Sequence, residues 1–382
     1  MTPQEAIAPA IETVRRALAA FPTSYPDDTT LDGRYLPRPA ADGFAAGANR
    51  GWTTGFWPGM QWLAWEVTGE AAFRDAGLWH VADLARRLDA DEDVDMHDLG
   101  FLATLTAVAP WRLVGDRDAR GTALAAADRL MGRFLEPAGV FQAWGATGDA
   151  HEGGRAIIDS LMNMPLLTWA SAETGDPRYA DAVGRHTRQL RDHIVRDDGS
   201  TFHTFHWDPL TGRPLRGATA QGAHDGSCWA RGQAWGVYGF AVNGLALGDD
   251  TLTDAARRCA RLFLSRLPAD DVPYWDLVYG DGSGQPRDSS AGAIAACGLL
   301  VLADAETDPA RADEDRAAAD RLLRALIARC TPARPQDADA LLLHGVYDLP
   351  GGIGVDEGSL WGDYFYLEAL VRTTRPGWRP YW

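Results

Sequence analysis

Three stretches decide the reading of this chain: Glu66-Val67-Thr68-Gly69-Glu70, Glu173-Thr174-Gly175-Asp176-Pro177 and Glu306-Thr307-Asp308-Pro309. Each closes one apolar helical run and opens another. Asp176 and Asp308 suit a helix N-cap, where a short side-chain oxygen accepts from an unpaired N–H of the first turn. Pro177 and Pro309 then fit the first helical position, where a missing N–H costs nothing. The phrases are helix-to-helix joints, and a joint that recurs along a chain signals a repeating architecture.

Outward from the joints, two kinds of helix alternate. One is amphipathic and rich in Ala, Arg and Asp, at roughly residues 5 to 20, 71 to 89, 118 to 134, 177 to 194, 251 to 266 and 311 to 329. Its apolar residues recur near i, i+3, i+4 and i+7. The other is apolar nearly all round, with Gly, Trp and small residues, at roughly 54 to 67, 98 to 109, 158 to 170, 230 to 244, 289 to 303 and 359 to 372. Wet-faced helices alternating with buried ones predict an all-α (α/α)6 barrel, six inner and six outer helices with long loops over one end, spanning residues 1–382 as one domain. A length of 382 residues would otherwise suit two or three domains, but closed barrels reach this size. Strand-like alternation is confined to stretches such as Thr201 to Trp207 and Pro273 to Tyr279, read as hairpins or irregular loops.

Composition narrows the function. The formal net charge is −17, so most of the surface repels phosphate backbones and anionic membranes, and nucleic acid is not an expected partner. All 36 basic residues are arginine. Chemistry that needs a lysine amine, including Schiff bases and P-loop phosphate binding, is excluded. The stretch Met1 to Arg16 lacks the greasy middle of a secretory signal, and no window holds 18 consecutive apolar residues, so a cytoplasmic location without a membrane partner is expected. Cys228, Cys259, Cys297 and Cys330 are too far apart for a C-x-x-C pattern and read as small core residues.

The loops leading into the apolar helices share one end of such a barrel. They include Asn49 to Trp57, Met96 to Phe101, Ile157 to Asn163, Ser227 to Trp235 and Gly354 to Tyr364. Many of the chain's 15 tryptophans lie in or beside them, and flat aromatic faces with carboxylates on a concave surface suit a carbohydrate ring. Trp62, Trp65 and Trp169 read as filling for a wide barrel, whereas Trp52, Trp144 and Trp235 are candidates for ligand contact. Asp98 and Asp159 each start an apolar helix and could be N-caps alone. Against that, Ile157, Ile158, Leu161, Met162 and Met164 surround Asp159 with apolar groups that would hold a carboxylic acid protonated near neutral pH. A second carboxylate at Asp98 would raise it further, the paired-carboxylate logic of sugar chemistry.

His97-Asp98-Leu99-Gly100-Phe101, Ile158 to Asn163, Trp229-Ala230-Arg231-Gly232-Gln233-Ala234-Trp235 and Gly354-Val355-Asp356-Glu357 through Trp361-Gly362-Asp363-Tyr364 resemble glycoside hydrolase family 88, the unsaturated glucuronyl hydrolases, in order along essentially the whole chain. The resemblance implies an (α/α)6 barrel acting on the unsaturated uronic acid that lyases leave at the non-reducing end of polysaccharide fragments. It matches Asp159 to the catalytic acid/base and Asp98 to the second essential aspartate. Trp52, His97, Trp144, His203, Gln221, Arg231 and Trp235 fall on substrate-contacting positions. The reaction expected is hydration of the C4=C5 double bond, with no metal or organic cofactor. In relatives that accept sulfated aglycones, the region matching Tyr347 to Ile353 resembles a serine-and-lysine cluster, which this chain lacks, so an unsulfated second sugar is expected.

Arg231 supplies a cation that an anionic sugar needs inside an acidic protein, although a buried pair with a core aspartate would also explain it. Asp89, Asp91, Asp93 and Asp95 resemble a calcium loop, but Val94 and Gly100 stand where the glycine and bidentate glutamate belong, so they read as a solvated acidic turn. His203 and His206 lack a third ligand for zinc, and Gly352, Gly354 and Gly358 follow no clear strand for a dinucleotide motif. An unsaturated rhamnogalacturonyl hydrolase, a sugar epimerase using a histidine pair such as His203 and His206, and a non-catalytic sugar-binding protein remain as alternatives. Oligomeric state is not legible.

Overall fold

The computed structural model describes residues 1–149 and 151–382. The outer helices are α1 (Pro3–Ala20), α3 (Ala71–Asp89), α5 (Arg117–Met131), α7 (Pro177–His193), α9 (Asp250–Ser265) and α11 (Pro309–Arg329). The inner ones are α2 (Phe56–Thr68), α4 (Leu99–Ala103 through a π turn, Thr104–Val108, to Ala109–Val114), α6 (Met164–Thr174), α8 (Ala230–Leu247), α10 (Ser289–Ala305) and α12 (Leu360–Thr374). Each inner helix touches the next, and α12 packs back on α2, closing the ring. This is the (α/α)6 barrel.

The joints form as their residues dictate. Gly69 and Gly175 adopt the left-handed conformation that ends α2 and α6 without a Cβ penalty. Asp176 and Asp308 accept from the N–H groups of Arg178 and Ala310, capping α7 and α11. Inner-helix side chains are buried almost throughout, with Trp62 and Trp169 in the core and Trp65 packed against it. Truncating a side chain such as fully buried Trp62 would cost about 3–5 kcal/mol.

Three short antiparallel sheets cover the end where the inner helices begin: β1–β2 (Phe134–Leu135, Val140–Phe141), β3–β4–β5 (Arg155–Ile157, Thr204–Trp207, Pro214–Ala218) and β6–β7 (Gly345–Asp348, Ile353–Glu357). Thr204–Trp207 is thus a central strand, while 273–279 makes only isolated bridges. Gly352 and Gly354 belong to the β6–β7 hairpin. The acidic turn is solvated as expected, with Asp89, Asp91, Asp93 and Asp95 all exposed. Three of the four also pair with arginines, Asp91 with Arg129, Asp93 with Arg87 and Asp95 with Arg133, which ties the turn to the outer-helix layer. All four cysteines are free and buried. No helix among the described residues is long and apolar enough to cross a membrane.

Candidate active site

A cleft with about 490 Å³ of empty space opens at the loop end, lined by Trp52, Asp98, Trp144, Ile157, Asp159, Gln221, Trp229, Arg231, Trp235 and Tyr347.

The two aspartates meet because two chain segments nearly touch. A Cβ on Gly100 would fall 2.3 Å from the Asn163 Cα, so only glycine admits the approach. Asn163 then ties the segments together: its Oδ1 accepts from the Phe101 N–H at 2.8 Å and its Nδ2 donates to Asp98 Oδ1 at 3.2 Å. Asp98 stands at the N-cap of α4 without a side-chain bond to the helix, and Asp159 lies in a 3-10 turn, Ile158–Met162, that no side chain caps. The capping explanation fails for both, and their carboxyl groups line the cleft.

His97 completes the group. Its Nε2 lies 3.3 Å from Asp98 Oδ1 and 3.9 Å from Asp159 Oδ1. Among the described residues neither His97 ring nitrogen nor Asp159 Oδ1 has a hydrogen-bond partner, although all are buried. Burial pushes the Asp159 carboxyl up to about 7; the His97 charge opposes this, and the Asp98 charge adds to it. Burial works against the imidazolium of His97, but the two carboxylates outweigh it and hold its pKa above the ordinary range. These three residues also present ligand atoms within 4.8 Å of one another, the donor set a divalent cation would meet here.

The turn carrying Asp159 is locked from behind. His186 Nδ1 accepts from the Phe141 N–H at 3.1 Å, so its proton sits on Nε2 and is donated to Ser160 Oγ at 2.7 Å. Ser160 donates in turn to the Ile157 carbonyl at 2.6 Å. Burial pushes His186 down to about 3, keeping this chain neutral.

The remaining expected residues converge on the cleft in different ways. Trp52 donates to the Tyr347 hydroxyl at 2.9 Å and stacks on Trp361, and Trp235 is almost wholly buried, with part of its ring on the cleft wall. His203 Nδ1 accepts from the N–H groups of Ala220 and Gln221 at 3.0 and 3.2 Å. Burial pushes it down to about 3, so it is neutral with its proton on Nε2, which has no partner among the described residues. Gln221 donates to the Tyr347 carbonyl at 3.0 Å. Arg231 is both things the sequence allowed: it lines the cleft, and it pairs with buried Asp288 at 3.2 Å while donating to the carbonyls of Val346 and Tyr347. Its guanidinium also lies over Trp229 and Trp361.

His206 is not brought to the group. It sits between Arg155 and Arg216 across β3–β4–β5, whereas buried His203 packs on Trp229, so the histidine pair an epimerase would need does not form. Sequence reasoning missed Tyr347 and Trp229 as cleft walls and Asn163 as the tie to Asp98. Trp229 adjoins the Arg231 segment and had a local signal; Tyr347 lies more than a hundred residues away, and only the family resemblance placed its loop near the second sugar.

Paired carboxylates beneath aromatic walls at one end of a double helical ring define a helical-barrel enzyme of sugar chemistry. The chain belongs to glycoside hydrolase family 88, the model of Glycosyl Hydrolase Family 88 matching residues 30–246. It is 43% identical to the unsaturated glucuronyl hydrolase of Bacillus sp. strain GL1, over 99% of this chain and 98% of that one. The crystal structure of the Bacillus enzyme matches with a TM-score of 0.92, covering 98% of this chain and 97% of that one. An unsaturated chondroitin disaccharide hydrolase from Streptococcus pyogenes is 43% identical over 98% of this chain and 91% of its own length. A mutant unsaturated glucuronyl hydrolase from Streptococcus agalactiae, complexed with dGlcA-GalNAc6S, matches at 38% identity and a TM-score of 0.85, over 100% of this chain and 93% of that one.

Proposed function

We propose that residues 1–382 act as one catalytic domain that releases the non-reducing-end unsaturated (4-deoxy-Δ4,5) glucuronic acid from lyase-generated oligosaccharides. The observation that carries the reading is a carboxyl held at about 7 on the cleft floor beside Asp98 and His97. Asp159 has its proton available near neutral pH and can take one back, as a general acid that becomes a general base must.

Asp159 protonates C4 of the C4=C5 bond, and the positive charge that develops is shared by C5 and the ring oxygen. Water adds at C5 as the Asp159 carboxylate takes its proton. The C5 hemiketal opens, leaving C1 as a hemiacetal that expels the saccharide with its glycosidic oxygen. Every proton is accounted for by Asp159 and water, so no cofactor enters the scheme. Asp98 and His97 hold ring hydroxyls and set the Asp159 proton affinity. His203 presents an Nε2–H donor, Gln221 and Arg231 supply further donors, and Trp52, Trp144 and Trp235 form apolar walls.

A screen of lyase-generated disaccharides, followed by loss of conjugated-alkene absorbance, tests this. Faster turnover of unsaturated glucuronyl than of unsaturated rhamnogalacturonyl substrates is expected. The reverse order would identify the rhamnogalacturonyl activity. A changed sugar with absorbance intact would identify an epimerase, and binding without turnover a sugar-binding protein.

A further inference from the structure

Trp144 is anchored differently from the other aromatic walls. Trp52, Trp229 and Trp235 pack into the barrel core, whereas Trp144 belongs to neither core cluster of the described residues. Its backbone is tethered, with the carbonyl accepting from Gln142 at 2.7 Å and Arg133 at 3.4 Å. A backbone tether leaves the ring free to turn about its side-chain bonds. The ring's neighbours are the edge of His203, with centroids 6.0 Å apart, and the guanidinium of Arg155, 4.1 Å above its centroid.

Arg155 is itself held for this contact. Its Nη1 donates to Glu152 at 3.1 Å, while its Nε is buried without a hydrogen-bond partner among the described residues. Arg155 and Ile157 lie two apart on β3 and so share a face of the sheet, and Ile157 lines the cleft. Arg155 also stands across from His206, and His206 across from Arg216.

We propose that Arg155 is a positioning residue for the saccharide being released: by covering one face of Trp144, it presents the other face as the platform for the second sugar. A flat guanidinium gains from the indole quadrupole and loses little freedom in doing so, which a lysine ammonium would not reproduce. The role rests on the activity proposed above, with the leaving sugar against Trp144.

The experiment measures kcat and KM for an unsaturated glucuronyl disaccharide and for the methyl glycoside of the same unsaturated uronate, which has no second sugar. Arg155→Gln should raise KM for the disaccharide about three- to tenfold, the size of a partly desolvated cation–π contact, with kcat little changed. Its preference for the disaccharide over the methyl glycoside should fall by the same factor. In a Trp144→Ala background the substitution should have no further effect, because the residue it acts through is gone. An undiminished Arg155→Gln effect without Trp144, or a loss confined to kcat, overturns the role. Should Arg155→Gln not fold, Arg155→Lys and Glu152→Gln carry the same comparison, and an unaltered disaccharide preference in both overturns it. If the wild-type protein turns over neither substrate, the proposed activity fails; if it turns over both and the variants keep its preference, the Arg155 role alone fails.

Discussion

His97→Gln should move the alkaline limb of the pH–activity profile upward even as it lowers the rate. Activity requires Asp159 protonated, so it falls as pH rises through about 7 in the wild-type protein. The His97 charge, 3.9 Å from Asp159 Oδ1, works against protonation. A full unit charge at that distance is worth about 4 kcal/mol at an effective dielectric of 20, or about 3 pK units. Asp98 is closer to the same nitrogen, at 3.3 Å, and takes up much of that charge. An upward shift of roughly 1 unit or more is therefore expected when glutamine keeps the shape and removes the charge. The assay is kcat/KM from alkene absorbance across mildly acid to alkaline pH. A limb that stays in place, or moves down, would refute the coupling of His97 to Asp159.

An unsulfated disaccharide should be turned over faster than its sulfated twin. Asp348 lies on β6 beside Tyr347, and the 347–353 hairpin offers no lysine or serine to replace a sulfate's water; equal or faster sulfated turnover would sink this. Asp363 is buried with a pKa pushed up to about 7 by desolvation, against bonds from the Leu341 and Leu342 N–H groups and Tyr35. Its protonated form is thus the one the fold favours, and that stabilisation is present at acid pH and lost as pH rises through about 7. Asp363→Asn should flatten the fall of Tm with rising pH, and an unchanged slope would argue otherwise. Chelation with EDTA should leave turnover intact, because proton transfer from Asp159 uses no metal; activity lost on chelation and restored by a divalent cation would give the His97, Asp98 and Asp159 group a different role.

The alternation of amphipathic and apolar runs made the barrel legible, since each helix carries its own 3.6-residue period and several carry their caps. What that period does not encode is where an inner helix departs from α geometry. Pro165 has no N–H for the Leu161 carbonyl, so a helix begun at residue 158 would lose that bond in its interior. The chain forms the 3-10 turn of Asp159 instead and restarts at Met164, and the Leu161 carbonyl accepts from Asn243 at 2.7 Å. The π turn in α4 likewise left no mark in the apolar pattern. Asp98 and Asp159 were readable from their local surroundings, whereas His203 and Gln221 were found only through family resemblance. Tyr347, Asn163 and two of the arginines that hold the acidic turn, Arg129 and Arg133, depend on partners far away in the chain, and such pairings are invisible to local composition.

The most direct test of the account follows the atoms of the double bond. Reaction in heavy water should place deuterium on C4, and water labelled with heavy oxygen should leave its label at C5 while the released saccharide keeps its glycosidic oxygen. With Asp159→Asn, which removes the proton and keeps the size, the same reaction should slow roughly 10²-fold or more with the fold intact. Product without deuterium at C4, or label on the anomeric carbon, would contradict hydration, and an active Asp159→Asn protein would contradict the assignment of the acid.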